Sequence, residues 1–503
     1  MLETLACASG SDQAQPPITS YDNGVKTSAQ TAVNVAVLRT LSVLAILVAI
    51  LFPATGWADE QLIIAAMREF LKSDHPEQRE KLVHRIASDP AYTREKVSTW
   101  LHRAAEFDPL PTGLHHLQVP LAAGGHRTLA LRIPAKYDPQ QAWPLIYALH
   151  GASGRGENIL GYVEGVLGPA VEQYIIAAPS DYRDMVVHSD WPPSLEHPAA
   201  LAALRRYVHL DTDRVFVLGY SRGGHTSWTL GVLYADQFAG AVPLAGTFAL
   251  PEVEHLWETF LPNMRYVPVL CVWGARDIYA DNNQTPSRDG GIAGLNRKLC
   301  AAAVELELPV TSHEYPDQGH GGIVPPADLL TNLLSSRRAH YPREITHTFR
   351  HIGQAQAYWI EGHTWKGSQW NDKLPTIRLR QGEDANNPQD VKNALLRTYR
   401  ASLGELRGQV TGQLIDVRRK KVDELTIWIG DDLIDWQQPV EVKVSGRKVY
   451  TGILEPDLHV CLTQAARTYD FERLRWAGLR FKSGSKTRLV TAQTEFPDLF
   501  HGE

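Results

Sequence analysis

The chain has 503 residues, 44% of them hydrophobic and 21% charged, with a formal net charge of −6. That length exceeds one ordinary core, so two folded domains with appendages are expected, and the composition excludes a disordered or fibrous chain. The mild acidity excludes a nucleic-acid partner, because the run Arg418-Arg419-Lys420-Lys421 is isolated between strand-like segments and reads as a solvated turn.

In chain order, Thr40 to Phe52 is apolar over 13 residues, with Arg39 before it and Gly56-Trp57-Ala58 after it. A spanning helix needs about 20 residues, so residues 1–58 read as an N-terminal extension ending in a signal peptide cleaved after Ala58. The expected location is periplasmic or extracellular; an uncleaved segment would instead anchor the chain in the membrane, in association with the cell envelope. Residues 59–110 read as short helices. Leu62, Ile63, Ala66, Met67, Phe70 and Leu71 recur at helical spacing, but the stretch is too small for its own core and must pack on something else.

Near residue 114 the period changes. Leu129, Leu131 and Ile133 alternate with Thr128, Ala130 and Arg132 behind the turn Ala122-Ala123-Gly124-Gly125-His126, which predicts a hairpin opening a sheet. Pro144 to Leu149 is a buried strand followed by His150-Gly151-Ala152-Ser153-Gly154. Arg214 to Leu218 is another, and it runs into Gly219-Tyr220-Ser221-Arg222-Gly223 and then a helix from Gly224. Strand, sharp turn and helix around G-x-S-x-G is the setting of a nucleophilic serine, whose neighbours need to lack a Cβ so that strand and helix can approach. Outside that setting Ser221 would be an ordinary serine in a glycine-rich turn.

Tyr266 to Trp273 is a buried parallel strand that ends in Gly274-Ala275-Arg276-Asp277. Asp277 therefore stands just past a carboxyl strand end, where open α/β sheets place their sites. A helix from about 292 to 306 and a short strand Thr311 to Tyr315 lead to a glycine-rich loop carrying His320, read as a mobile general base. His320 would take the Ser221 proton and pass it to the leaving group, and Asp277 would orient the imidazole. Asp281 and Asp317 are alternative acids; His313, His225 and His150 are alternative bases. The oxyanion hole is expected from the N–H of Arg222 together with that of Ala152 or Gly151. Strands and helices alternate to about 338, which implies a mostly parallel sheet.

After residue 340, Tyr358 to Ile360, Thr376 to Arg380, Glu424 to Ile429, Val440 to Val444 and Val449 to Ile453 read as strands, with helices near 388–403 and 457–467. Residues 345–503 are thus a β-sandwich-like accessory domain able to bury a core of its own and dispensable for chemistry. The aromatic cluster Tyr358, Trp359, Trp365 and Trp370 reads as core and edge packing, with stacking on sugar rings as the alternative. No C-x-x-C, H-E-x-x-H or calcium loop is present, so no metal and no cofactor are expected. A chain cleaved after Ala58 would hold three cysteines, Cys271, Cys300 and Cys461, which allow one disulfide at most and require none. His115 and His116 are adjacent and, in a strand, point to opposite faces.

On these residues the stretch from 111 to 340 resembles the secreted esterase branch of the α/β-hydrolases. That branch includes feruloyl esterases, polyhydroxybutyrate-depolymerase-like enzymes and the phospholipase/carboxylesterase group. The matching stretches are Trp143 to Gly151, Asp213 to His225 and Phe238 to Gly246. The resemblance implies an α/β-hydrolase fold, a Ser221, Asp277 and His320 triad, and a serine carboxylesterase acting on small-molecule or polymer-linked esters through an acyl-enzyme. The elbow is similar also to that of prolyl-oligopeptidase-type serine peptidases, which usually carry a large β-propeller before the hydrolase domain; here only the helical stretch 59–110 precedes it. Tyr220 stands where these esterases often carry His. Arg222 departs too, and either favours a polar or acidic acyl group or joins a neighbouring salt bridge.

Overall fold

A computed structural model of the chain describes residues 55–120, 125–152, 154–180, 196–248, 257–278, 291–367 and 376–491. The apolar run 40–52, the segment 181–195, Asp281, Trp370 and most of the hairpin turn expected at 122–126 lie outside the described residues. Residues Glu60–Glu503 form one compact unit.

The first sheet holds eight strands in the order β1-β2-β4-β3-β5-β6-β7-β8. They are β1 Gly113–Pro120, β2 His126–Ile133, β3 Trp143–Leu149, β4 Ile175–Pro179, β5 Leu210–Tyr220, β6 Gly240–Leu244, β7 Val269–Gly274 and β8 Val310–Tyr315. The β1–β2 hairpin is antiparallel and β2 meets β4 antiparallel; from β4 through β3 to β8 every pairing is parallel. Strands β3, β4, β6 and β7 and the later half of β5 from Val215 are apolar runs, buried along nearly their full length, because helices cover both faces. This is the α/β-hydrolase fold: the strand order crosses over at β3 and β4, and β5 enters a tight turn at its carboxyl end.

The helices before the sheet are α1 Thr55–Lys72, α2 Pro76–Ala87 and α3 Val97–Ala104. Their apolar faces do not pack on the hydrolase sheet. Ile63, Met67, Phe70, Ile86, Trp100 and Leu101 share one core with Ile345, Trp359, Leu406, Ile427, Leu462 and Phe481 of the C-terminal region. Leu62, expected on the buried face, is half exposed. The C-terminal region has two five-stranded sheets, β10-β11-β14-β17-β18 and β16-β15-β13-β12-β9. Their strands are β9 Glu344–Phe349, β10 Gln356–Ala357, β11 Ile360–Trp365, β12 Gly404–Thr411, β13 Leu414–Lys420, β14 Val422–Ile429, β15 Val440–Val444, β16 Arg447–Gly452, β17 Ala477–Lys482 and β18 Arg488–Leu489. The core expected to belong to residues 345–503 alone is therefore completed by residues near the other end of the chain.

Two local expectations change. Thr376 to Arg380 alternates in sequence but pairs with no strand among the described residues, and all five residues are exposed. The basic run 418–421 is the end of β13 and a tight turn at Lys421, which adopts φ 63°. Trp359 is fully buried and donates its indole N–H to the Pro342 carbonyl at 2.8 Å, and Trp365 stacks edge-on against Phe349, so both serve packing. Among the described residues, Cys271, Cys300 and Cys461 are buried and unbridged.

The hydrolase sheet is fastened to the sandwich by buried ions. The Arg338 guanidinium, with a side chain wholly shielded from solvent, donates to Asp470 at 2.9 and 3.0 Å and to Asp213 at 3.2 Å. Thr212 of β5 donates to the same Asp470 at 2.7 Å, and Arg473 reaches Asp236 at 3.1 Å. Burial acts to raise the Asp470 carboxyl, but Arg338 and Arg473 outweigh it and hold the group well below the usual carboxylate range. Removing one member of such a network strands the opposite charge. Arg338→Met is expected to destabilise the protein by about 3–5 kcal/mol in urea unfolding; a loss below 1 kcal/mol would show that the network tolerates the vacancy.

Candidate active site

The site is built at the carboxyl ends of β5, β7 and β8. β5 stops at Tyr220, and helix α4 begins at Arg222 and runs to Leu233. Between them Ser221 adopts φ 56° and ψ −115°, a conformation that L-residues avoid. Packing holds it there. A Cβ on Gly223 would lie 1.9 Å from the Leu149 carbonyl oxygen, one on Gly219 would lie 2.1 Å from the Gly223 carbonyl oxygen, and one on Gly224 would lie 2.5 Å from the Leu244 carbonyl oxygen. The Ser221 N–H donates to the Leu244 carbonyl at 2.8 Å. Just past β6, Ala245 is also at positive φ, 45°, with its N–H on the Val272 carbonyl at 2.8 Å. The turn is wedged between the ends of β3 and β6.

Asp277 follows β7. Its N–H is held by the Gly274 carbonyl at 3.1 Å, its own carbonyl accepts from Ala293 at 2.9 Å, and its side chain is buried. The loop after β8 folds back over Gly274 so closely that a Cβ there would lie 2.3 Å from the carbonyl oxygens of both Gln318 and Gly319. That approach carries His320 to Asp277. His320 Nδ1 lies 2.7 Å from Asp277 Oδ2, and His320 Nε2 lies 2.8 Å from Ser221 Oγ. With Asp277 ionised, Nδ1 carries the proton and donates to it, leaving Nε2 as the acceptor that faces the serine hydroxyl. The hydrogen bond to Asp277 raises the His320 pKa above its usual 6.5, against the opposing effect of burial.

The other candidates are placed elsewhere. Asp317 is exposed and paired with Arg276 at 2.6 Å. His313 lies in β8 and packs edge-on against Tyr315. His225 sits one turn into α4 with Nδ1 against the Thr247 backbone. His150 is buried and bonds the Gly151 carbonyl through Nδ1 at 2.7 Å. That carbonyl also accepts from the Gly154 N–H at 3.2 Å, so the peptide joining Gly151 to Ala152 is anchored on its oxygen side and its N–H, that of Ala152, points away from the anchor. Gly151 lies against Ser221, since a Cβ there would be 3.4 Å from Ser221 Cβ and 4.0 Å from Ser221 Oγ. Arg222 supplies the first N–H of α4, which has no acceptor within the helix. Among the described residues its guanidinium forms no salt bridge.

The loop bearing His320 is more constrained than its glycines suggest. Three tyrosine hydroxyls donate to its backbone: Tyr220 to the His320 carbonyl at 2.5 Å, Tyr162 to that of Ile323 at 2.5 Å and Tyr315 to that of Val324 at 2.9 Å. Tyr162 and Tyr220 meet edge to face, and so do Tyr220 and His320. Sequence reading missed this clamp; the one signal for it was Tyr220 in a position where histidine is common. Among the described residues no group of three or more His, Cys, Asp or Glu could hold a metal ion. His115 and His116 leave β1 in different directions, one to the Pro111 carbonyl at 2.6 Å and one to Glu157 at 2.8 Å.

No protein-family model and no curated protein matches the sequence. Among solved structures the chain is similar to a thermostable esterase at 20% identity, with 45% of this chain and 63% of that one covered and a TM-score of 0.34. It is similar to a ferulic acid esterase from Anaeromyces mucronatus at 13% identity, covering 47% and 94% at a TM-score of 0.34. It is also similar to a putative dipeptidyl aminopeptidase IV from Bacteroides ovatus at 15% identity, covering 44% and 35% at a TM-score of 0.35. The chain thus spans about a third of that peptidase and under two thirds of the thermostable esterase. The fold assignment rests on the strand order and the Ser221 turn.

The His320 geometry has a spectroscopic consequence. In the intact protein the imidazole should titrate above 6.5 by NMR, and Asp277→Asn should return it to or below that value. The sign follows from the charge: Asp277 favours the imidazolium, so this contribution to stability is complete below the unfolded pKa and is lost as pH rises through the raised folded one. A midpoint unmoved by Asp277→Asn would mean that the carboxylate does not govern the ring.

Proposed function

We propose that the protein is a serine hydrolase that cleaves carboxylic esters through an acyl-enzyme. The single observation that supports this most is the continuous hydrogen-bonded chain Asp277–His320–Ser221, ending on a serine oxygen presented at a strained turn. In this reading Ser221 Oγ attacks the ester carbonyl carbon while His320 Nε2 takes its proton. The carbonyl oxygen becomes an oxyanion facing the N–H of Arg222 and the N–H of Gly151 or Ala152. Collapse expels the alcohol, which leaves with the proton from Nε2, and the acyl group remains on Ser221. A water molecule then gives its proton to Nε2, attacks the acyl carbon and releases the carboxylic acid, returning the proton to Ser221. Asp277 stays ionised and stabilises the imidazolium. The Arg222 cation, adjacent to the nucleophile and unpaired among the described residues, favours a polar or acidic acyl group. A peptidase would use the same three residues and release an amine instead.

The test is steady-state hydrolysis of p-nitrophenyl, feruloyl and acetyl-sugar esters beside a p-nitroanilide. Ser221→Ala should reduce kcat by on the order of 10⁶ and His320→Ala nearly as much. Asp277→Asn should cost about 10⁴ through the wrong imidazole tautomer. Activity should rise with pH through a midpoint above 6.5, since only the neutral imidazole accepts the serine proton. Tyr220→Phe, which frees the His320 carbonyl while keeping the ring, should lower kcat about tenfold with little change in KM, the signature of a misplaced base. Full activity in Ser221→Ala would refute the assignment, and cleavage of the anilide in preference to every ester would favour the peptidase.

A further inference from the structure

One cavity that stands apart from Ser221 lies where the start of β5 meets the sandwich. It encloses about 330 Å³, enough for a small metabolite, and opens to solvent beside Ala202 and Gly353. Asp470, on its wall, bonds Thr212 near the start of β5, whereas Ser221 follows the other end of that strand, about 30 Å away at the rise of an extended chain. The cavity therefore takes no part in the ester chemistry, and a ligand held in it would be independent of that chemistry.

Its charge is unbalanced. Arg205, Arg467, Arg473 and Arg475 line it, against the carboxylates of Asp236 and Asp470. Asp470 is already engaged by the Arg338 fork and by Arg473 at 3.7 Å, and Glu361 pairs with both Arg467 and Arg475. Arg205, only 8% exposed, hydrogen-bonds the neutral Gln237 amide oxygen at 2.7 Å, and no carboxylate is within salt-bridge range of it among the described residues. Burial brings its guanidinium down to about 10, as expected of a cation short of compensating charge.

The unsatisfied valence has one sign. Gln464, 3% exposed, accepts from Arg467 at 3.0 Å and from Arg475 at 3.4 Å through Oε1, which fixes the amide orientation, and its buried Nε2 has no hydrogen-bond partner among the described residues. Arg473, 5% exposed, has a buried Nε that meets Asp470 Oδ2 only at an ion-pair distance of 3.7 Å and has no hydrogen-bond acceptor among the described residues. Both leftover groups are donors and both residues line the cavity. A buried network that served stability alone would satisfy its donors, because each orphan costs about 1–3 kcal/mol. We infer that this cavity binds a small oxyanionic metabolite, through a carboxylate or phosphoryl group that accepts from Gln464 Nε2, Arg473 Nε and the Arg205 guanidinium. Bound there, the anion would join α5 (Glu196–Tyr207, which carries Arg205) to the segment 464–475.

The experiment is thermal unfolding and titration calorimetry of the full chain in sodium phosphate, sodium citrate and sodium chloride at matched ionic strength. Phosphate or citrate should raise Tm saturably while chloride does not; a response to phosphate alone identifies a phosphoryl ligand, and to citrate alone a carboxylate. Arg205→Met should weaken the apparent affinity tenfold or more. Gln464→Glu, which places a carboxylate inside the cavity, should raise Tm without added anion and remove the response, so the test stands even if Arg205→Met fails to fold. Equal Tm changes in all three salts, or an anion response undiminished in Gln464→Glu, would overturn the assignment.

Discussion

The close approach of backbone to backbone around Ser221 is the constraint from which the rest of the site follows. A positive-φ serine costs about 1–3 kcal/mol and persists only where its surroundings over-determine it. Here the ends of β3 and β6 do so, through glycines whose missing Cβ atoms leave room for neighbouring carbonyls. The same crowding aims Ser221 Oγ out of the sheet and presents the first N–H of α4 beside it. The remaining parts are brought to that fixed point. Gly274 lets the His320 loop fold over β7, Asp277 fixes the ring, and three tyrosine hydroxyls hold the loop's backbone from the other side. Preorganisation of this kind places the His320 imidazole within hydrogen-bond reach of Ser221 Oγ.

A second constraint operates on the whole chain. Helices α1–α3 and the C-terminal sheets share one apolar core, so the hydrolase sheet lies in sequence between two partners that need each other. Buried ions from Arg338 and Arg473 then fasten that assembly to the amino end of β5 and to the turn after α4. Ser221 lies at the carboxyl end of β5, while the opposite end carries the interface. The cavity beside Asp470 belongs to this interface, and its surplus of donors is why it reads as a binding site rather than as a packing defect.

What the sequence made legible was the part dictated by local rules. A glycine-flanked serine between an apolar strand and a helix, an aspartate past a strand end and a histidine on a glycine-rich loop are short-range patterns, and the geometry brings Ser221, Asp277 and His320 together. Harder to read was anything set by long-range pairing. Nothing local in Met67 or Trp100 says that the partner lies beyond residue 345. Nothing in Thr376 to Arg380 says that its alternation meets no strand. The tyrosine clamp escaped for the same reason, since Tyr162 stands 161 residues from Ile323 and Tyr220 stands 100 from the carbonyl it holds. Likewise the charge imbalance around Arg205 involves α5, the turn after α4 and the segment 464–475, and it is visible only once they meet.

The central claim is that Ser221 is a nucleophile activated through His320. It is tested most directly by reacting the intact protein with a fluorophosphonate and locating the adduct by peptide mass spectrometry. The account predicts one adduct per chain, on Ser221, formed faster as pH rises through the His320 titration and suppressed in His320→Ala. A folded protein that takes no label, or takes it on another residue, would contradict it.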